Sequence, residues 1–284
     1  MLPIVYELQF FGISRPIGGY GLMVSLGVLI TGILSARAAH HAKEDWGAVI
    51  ATIGYATIPA FLGAAALFFV VELVRAGFDV DAVLSRGPGL VFYGAVPGAL
   101  LGTFYAARWL KVPWWKMVDL SVPAIAAGHA LGRVGCLLGG CCFGAEWHGP
   151  WSITATAPMA PMAQPSVPRH PVQLYEALGL IALALVFAAT PLHAKWLGAP
   201  GSGRRIASYA VLYGVLRSLV EVFRGDGVRG VFLGGLVSTS QLVSLVVIGV
   251  GVAGVLRARR LEEAARAPTS AVPSAAGPTA ASDP

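Results

Sequence analysis

Charge is scarce in this sequence: Asp, Glu, Lys and Arg make up 12% of its 284 residues, about half the share found in an ordinary soluble domain. That scarcity excludes a normally solvated surface. With 56% apolar residues, it points to lipid as the surroundings. Cysteine is nearly absent too, and the three present, Cys136, Cys141 and Cys142, fall within seven residues, which excludes a disulfide framework. The opening MLPIVYELQF lacks a basic n-region, an uninterrupted apolar core and a small-residue cleavage site, so it does not read as a removable signal peptide. The formal net charge is +6, yet the basic residues form no single patch interleaved with aromatics, which argues against a nucleic-acid partner. Gly (36) and Pro (19) are abundant. Membrane helices use Gly for close backbone approach and tolerate Pro where neighbours re-satisfy the backbone, so this abundance agrees with the lipid reading.

Apolar runs long enough to cross a core of roughly 30 Å lie at about 19–37, 47–74, 88–107, 117–138, 171–192, 206–223 and 235–256. The expected fold is therefore an all-α, polytopic integral membrane protein with about seven transmembrane helices. Pro59 marks a place where the second run can tilt or break. Arg37, Lys43, Arg108, Lys111, Lys116, Lys195, Arg204, Arg205, Arg257, Arg259, Arg260 and Arg266 fall in one set of connections, twelve in all. Arg15, Arg75, Arg86, Arg169, Arg224 and Arg229, six in all, fall in the other. The richer side should be cytoplasmic, which puts the N-terminus and the 139–170 loop outside and the C-terminus inside. Residues 1–265 read as one helical membrane domain and 266–284, an Ala/Pro/Ser run, as a disordered cytoplasmic tail.

Charges inside the runs are the first chemical signal, because an intramembrane charge is costly and points to function. Arg133 lies in GHALGRVGC, and Arg217 and Glu221 lie four apart in LYGVLRSLVEVFR, with Arg224 a turn further on. Guanidiniums converging from different helices make a bidentate clamp for a phosphate, and a phospholipid headgroup is the phosphate available at that depth. The plainer reading is a structural Arg217–Glu221 pair with Arg224 reaching the interface; it leaves Arg133 without a partner. In RHPVQLYEA, residues 169–177, His170, Gln173 and Glu176 recur every third position and so share a helix face. Interfacial anchoring accounts for Arg169 and Tyr175 but poorly for Gln173 and Glu176. The run GRVGCLLGGCCFG, residues 132–144, argues against a continuous helix and for a turn or re-entrant segment. Its thiols read as small packing groups, a redox pair, or metal ligands. Zinc is the weakest option, because adjacent cysteines rarely chelate one ion together and only His129 and His148 are near. Asp119 reads as an interface residue. No cofactor is required and no metal site is assigned.

These segments resemble, in order, those of the prolipoprotein diacylglyceryl transferases of bacterial inner membranes. YGLM at residues 20–23 is similar to the family's WYGLM, and FYGAVPG at 92–98 to its HGGLIG. Asp119 followed by GHALGRVGC is similar to D…GAGRLGN, RHPVQLYEA to RHPSQLYEA, LYGVLRSLVEVFR to GYGxFRxxxEFFR, and STSQLVSL at 238–245 to SMGQxLS. The likeness spans about Tyr20 to Ser244. It implies transfer of the diacylglyceryl group from phosphatidylglycerol to the lipobox cysteine of a prolipoprotein signal peptide, giving a thioether and glycerol phosphate. By this resemblance Arg133 and Arg217 hold the phosphate, Tyr20, Glu221 and Tyr93 complete the catalytic site, and His170, Gln173, Tyr175, Glu176 and Arg224 bind substrate. It also implies a multi-pass protein of the bacterial inner membrane, with membrane lipid as its surroundings. Three departures stand out. Tyr93 occupies the position of the family's HGG histidine, Cys136 that of the Asn after RLG, and Gly139, Gly140 and Cys141 that of its NGE. A Tyr with a pKa of about 10 is a poor base, so His129, His170 or no base remain open. The alternatives are a paralogue that binds anionic phospholipid without turnover, and a membrane thiol oxidoreductase using Cys141 and Cys142.

Overall fold

In an apolar run with no water to satisfy backbone N–H and C=O groups, the helix is the conformation that pairs them internally. The computed structural model, which describes residues 4–10, 13–85, 89–154, 167–189, 196–198, 200–224, 231–232 and 237–266, has such a helix in each of the seven expected runs. These are α1 (Gly19–His41), α2 (Trp46–Arg75), α4 (Phe92–Trp109), α5 (Trp114–Leu138), α6 (Val172–Ala188), α7 (Arg204–Glu221) and α8 (Thr239–Arg266), with a one-turn α3 (Val80–Ser85) between α2 and α4. Four of them, α1, α2, α5 and α8, are long and apolar enough to cross a membrane by length and composition, so the protein is polytopic. The membrane body is helical. Two small antiparallel hairpins add to it: β1 (Ile4–Phe10) with β2 (Ile13–Gly18), and β3 (Val231–Phe232) with β4 (Val237–Ser238). The tail at 267–284 and loop residues 155–166 lie outside the described residues.

Small residues set the packing. In α4, Gly94, Gly98 and Gly102 are spaced four apart and line the contact with α2. A Cβ on Gly94 would collide with the Gly63 carbonyl, and one on Gly98 with the Pro59 carbonyl, so the two backbones lie in direct contact. That contact carries α2 unbroken through Pro59, where a break had been possible. Antiparallel α1 and α5 meet in the same way: Thr31 Oγ1 on α1 donates to the Ala124 carbonyl on α5 at 3.2 Å, beside the close approach of Gly27 and Gly128. A buried core of Val122, Ala126, Ala130, Leu180, Phe187 and Tyr209 joins α5, α6 and α7.

The Gly-rich segment corrects an expectation. Helix α5 runs regularly through Gly132 and Gly135 to Leu138, because one or two glycines cost a packed helix only about 1 kcal/mol each. The break comes at Gly139 and Gly140. Gly140 takes φ of 68°, its N–H bonds to the Leu137 carbonyl and the Cys141 N–H to that of Cys136, which is a Schellman termination. The chain turns back over the end of α5 and does not re-enter the bundle as a second helix.

Candidate active site

The two ends of the bundle differ chemically. At one end Asp119, fully buried, accepts backbone N–H bonds from Gly201 at 3.0 Å, Gly203 at 2.8 Å and Ile206 at 3.0 Å. It therefore satisfies orphan donors at the N-terminus of α7 and complements the helix dipole. Arg204 bonds Glu262 at 3.0 Å and the Trp196 carbonyl at 2.9 Å, while Arg205 donates to the Phe187 carbonyl at 2.6 Å, in the last turn of α6. Both arginines are buried. Asp119 is a structural lock between α5 and α7, a more definite role than that of an interface residue.

At the opposite end, polar side chains from α4, α5, α6, α7 and the start of α8 face inward. Arg133 pairs with Glu176 at 2.9 Å, and Tyr213 Oη donates to the same Glu176 Oε1 at 3.1 Å. Glu176 is only 1% exposed. On α7, Tyr213, Arg217 and Glu221 recur every four residues and share a face. Arg217 is paired with Glu221 at 2.6 Å and donates from Nη2 to Ser240 Oγ at 2.9 Å. Glu221 also accepts from Ser238 Oγ at 2.7 Å and lies 3.9 Å from Arg224 Nε. Tyr93 Oη sits 3.3 Å from Ser240 Oγ. Tyr213 shares the Glu176 carboxylate with Arg133 and lies one turn from Arg217 on α7, and its ring meets that of His129, which also stacks on Phe92. Tyr213 thus links the two arginine pairs.

Arg133 therefore has the partner that the sequence reading lacked. Gln173, 1% exposed, faces the loop and donates to the Cys141 carbonyl at 2.7 Å. Tyr20 packs its ring against Gly135, where a Cβ would meet Tyr20 Cδ2 at 3.4 Å. His170 and Tyr175 stand apart from the arginines. His170 stacks on Trp147 at 4.3 Å between centroids and lies 3.3 Å from Tyr175 Oη, and both rings meet Phe223. Arg169 lies over the Phe143 ring and reaches the Gly144 carbonyl. This aromatic cluster ties the loop after α5 to the end of α7, where Gly144 and Arg224 form a β-bridge. Tyr213 and Ser240 were missed. Tyr213 lies one turn before Arg217 on the same face, which was a usable signal; Ser240 is one hydroxyl in a polar run.

The thiols sit beside this end. No disulfide joins them. Cys141 is held protonated, its pKa pushed far above the ordinary thiol range by hydrogen bonding with Cys136 and Cys142 and then by burial.

A family model described as prolipoprotein diacylglyceryl transferase matches residues 8–257. The chain is 32% identical over 256 residues to the phosphatidylglycerol–prolipoprotein diacylglyceryl transferase of Clostridium tetani, covering 89% of this chain and 96% of that protein. It is 32% identical over 268 residues to the protein of the same name from Dehalococcoides mccartyi strain 195, covering 92% and 98%. A second such transferase from Clostridium perfringens is 30% identical over 249 residues.

Proposed function

The chain belongs to the prolipoprotein diacylglyceryl transferase family, and from that premise we propose how its buried arginine pairs serve the reaction. It is a phosphatidylglycerol–prolipoprotein diacylglyceryl transferase, an enzyme of lipoprotein biosynthesis in the membrane. The acceptor is the lipobox cysteine thiol of a prolipoprotein signal peptide, and the donor enters from the surrounding lipid. The thiol sulfur attacks the glyceryl carbon that bears the phosphate. A C–S bond forms, the C–O bond to phosphate breaks, and the electron pair leaves on the phosphate oxygen. The thiol's proton balances the added charge on the released glycerol phosphate.

One observation carries this reading: Arg133 and Arg217, on different helices, are each held by a buried carboxylate, with Tyr213 bonded to the first carboxylate and one turn from Arg217. Glu176 and Glu221 offset the cost of burying the two guanidiniums before substrate arrives. Donors not used by the carboxylates are then fixed in place where negative charge develops on the departing phosphate. Tyr93, Tyr20 and Ser240 orient the reacting groups, Gln173 holds the loop after α5 beside them, and the His170, Tyr175 and Arg224 cluster receives the signal peptide. All seven long helices span the inner membrane, with the N-terminus outside.

Transfer from vesicle phosphatidylglycerol to a lipobox peptide tests the assignment. Arg133→Ala and Arg217→Ala should each abolish transfer at normal protein level. Arg→Lys at either position should also fail, because an ammonium cannot supply the planar fork. Full activity in Arg217→Ala refutes the phosphate role.

A further inference from the structure

The turn that ends α5 gathers three thiols. In a Schellman termination the residue two past the cap folds back over the helix position three before it. Here those residues are Cys141 and Cys136. The Cys141 N–H bonds the Cys136 carbonyl at 3.1 Å, and its Sγ lies 3.7 Å from the same oxygen. Cys142 then adopts φ of 60°, a left-handed conformation uncommon for a side chain of its size. All three Sγ atoms lie within 4.8 Å of one another. Gln173 pins the loop from α6 through the Cys141 carbonyl. Among the described residues, no His or carboxylate joins the cluster.

We propose that Cys136, Cys141 and Cys142 form a binding site for one Cu(I) ion in trigonal thiolate coordination. Soft thiolates select Cu(I), zinc or iron–sulfur clusters. Structural zinc demands four ligands, and the cluster offers three. A metal–sulfur bond of about 2.3 Å sets the corners of a trigonal plane about 4 Å apart, so the sulfurs close on the ion with shifts of under about 1 Å. Spacing in the sequence argued against shared ligation by adjacent cysteines; the two consecutive left-handed turns at Gly140 and Cys142 remove that objection. Binding exchanges thiol protons for one cation, with two or three protons released to solvent and no electron transferred. Affinity therefore rises with pH.

The test uses the full-length protein in detergent, reduced and anaerobic, titrated with Cu(I) supplied as its bicinchoninate complex. Wild type should withdraw one equivalent per chain, with X-ray absorption showing sulfur-only coordination by three neighbours. Cys136→Ser, Cys141→Ser and Cys142→Ser should each weaken binding by at least about 100-fold, the upper end of what losing a merely supporting residue costs. A triple Cys→Ala variant that elutes as wild type and retains transfer activity supplies the baseline. Copper uptake by wild type no greater than this baseline overturns the site. One equivalent of Zn(II), bound so tightly that Cu(I) cannot displace it, overturns the identity of the ion.

Discussion

By its resemblance to the family's HGG segment Tyr93 takes a histidine's place, and its surroundings define what it can contribute. It is 41% exposed, so the ring lies at the surface of the helix bundle and is not sealed in its core. Its hydroxyl reaches Ser240 Oγ at 3.3 Å, and Ser240 in turn accepts from Arg217 at 2.9 Å. The hydroxyl is thus one hydrogen bond removed from the guanidinium, a place suited to orientation. An acceptor thiol with a pKa of about 8.5 is already partly ionised at neutral pH, so the demand for a base is small. Tyr93→Phe should lower the transfer rate by about 10 to 100-fold, the effect of losing roughly 1.4 to 2.7 kcal/mol of positioning, and Tyr93→His should be tolerated. A wholly inactive Tyr93→Phe protein alongside turnover in the arginine variants would reverse the assignment of roles. At this scale the sequence made the unusual residues visible and hid their partners. An intramembrane Arg133 is conspicuous, but Glu176 sits on another helix 43 positions away, and no local period links them.

Among the elements, α7 depends on a residue it does not contain. Its N-terminal amides have no side-chain cap of their own, since the preceding residue is Gly203. Asp119 on α5 supplies the acceptor for three of the neighbouring N–H groups. Removing it strands buried donors at about 1 to 3 kcal/mol each. Asp119→Ala should therefore destabilise the protein by about 3 kcal/mol or more, with Asp119→Asn in between, read as a lowered midpoint in a thermal scan of the detergent-solubilised protein. A midpoint unchanged in Asp119→Ala refutes the lock. Because α7 carries Tyr213, Arg217 and Glu221 toward the far end, loss of the lock should also raise KM for the lipid. Helix positions were legible from apolar runs alone. The end of α5 was only half legible: a Gly-Gly pair announces a stop, while Gly132 and Gly135 continue the helix, Gly135 against Tyr20 and Met23 of α1. The ten-residue extension of α8 beyond the apolar run was missed because LRARRLEEAAR is charged; its helicity is supported by Glu262 docking on Arg204 and Ser202.

At the scale of the whole molecule, the internal geometry and the charge count bear on the same question from different directions. Tyr20 at the start of α1 packs against Gly135 near the end of α5, whereas Glu44 after α1 meets Lys116 at the start of α5 at 2.5 Å. Ser238 beside α8 meets Glu221 at the end of α7, and Glu262 at the end of α8 meets Arg204 at the start of α7. Helices α1 and α5 therefore run antiparallel, as do α7 and α8, which puts Gly19 and Arg266 at opposite ends of the bundle. The face with Glu44, Lys116, Arg204 and Glu262 also carries eleven of the twelve basic residues counted from the sequence, Lys195 lying outside the described residues. If the bias of Lys and Arg sets orientation, that face is cytoplasmic and the arginine pairs open toward the outer side, where an exported signal peptide arrives. Buried Arg204 and Arg205 still count, since they lie at the helix end that must stay behind during insertion. Fusions of a reporter active only in the cytoplasm, placed after Ala42, Lys111 and Ala264, should all be active, and one placed in the loop after His148 should be silent. Two or more of the first three reading as exported would overturn the orientation. It would also oblige the acceptor peptide to reach the arginines from the cytoplasmic side, so the same four fusions decide which face of the membrane the active site serves.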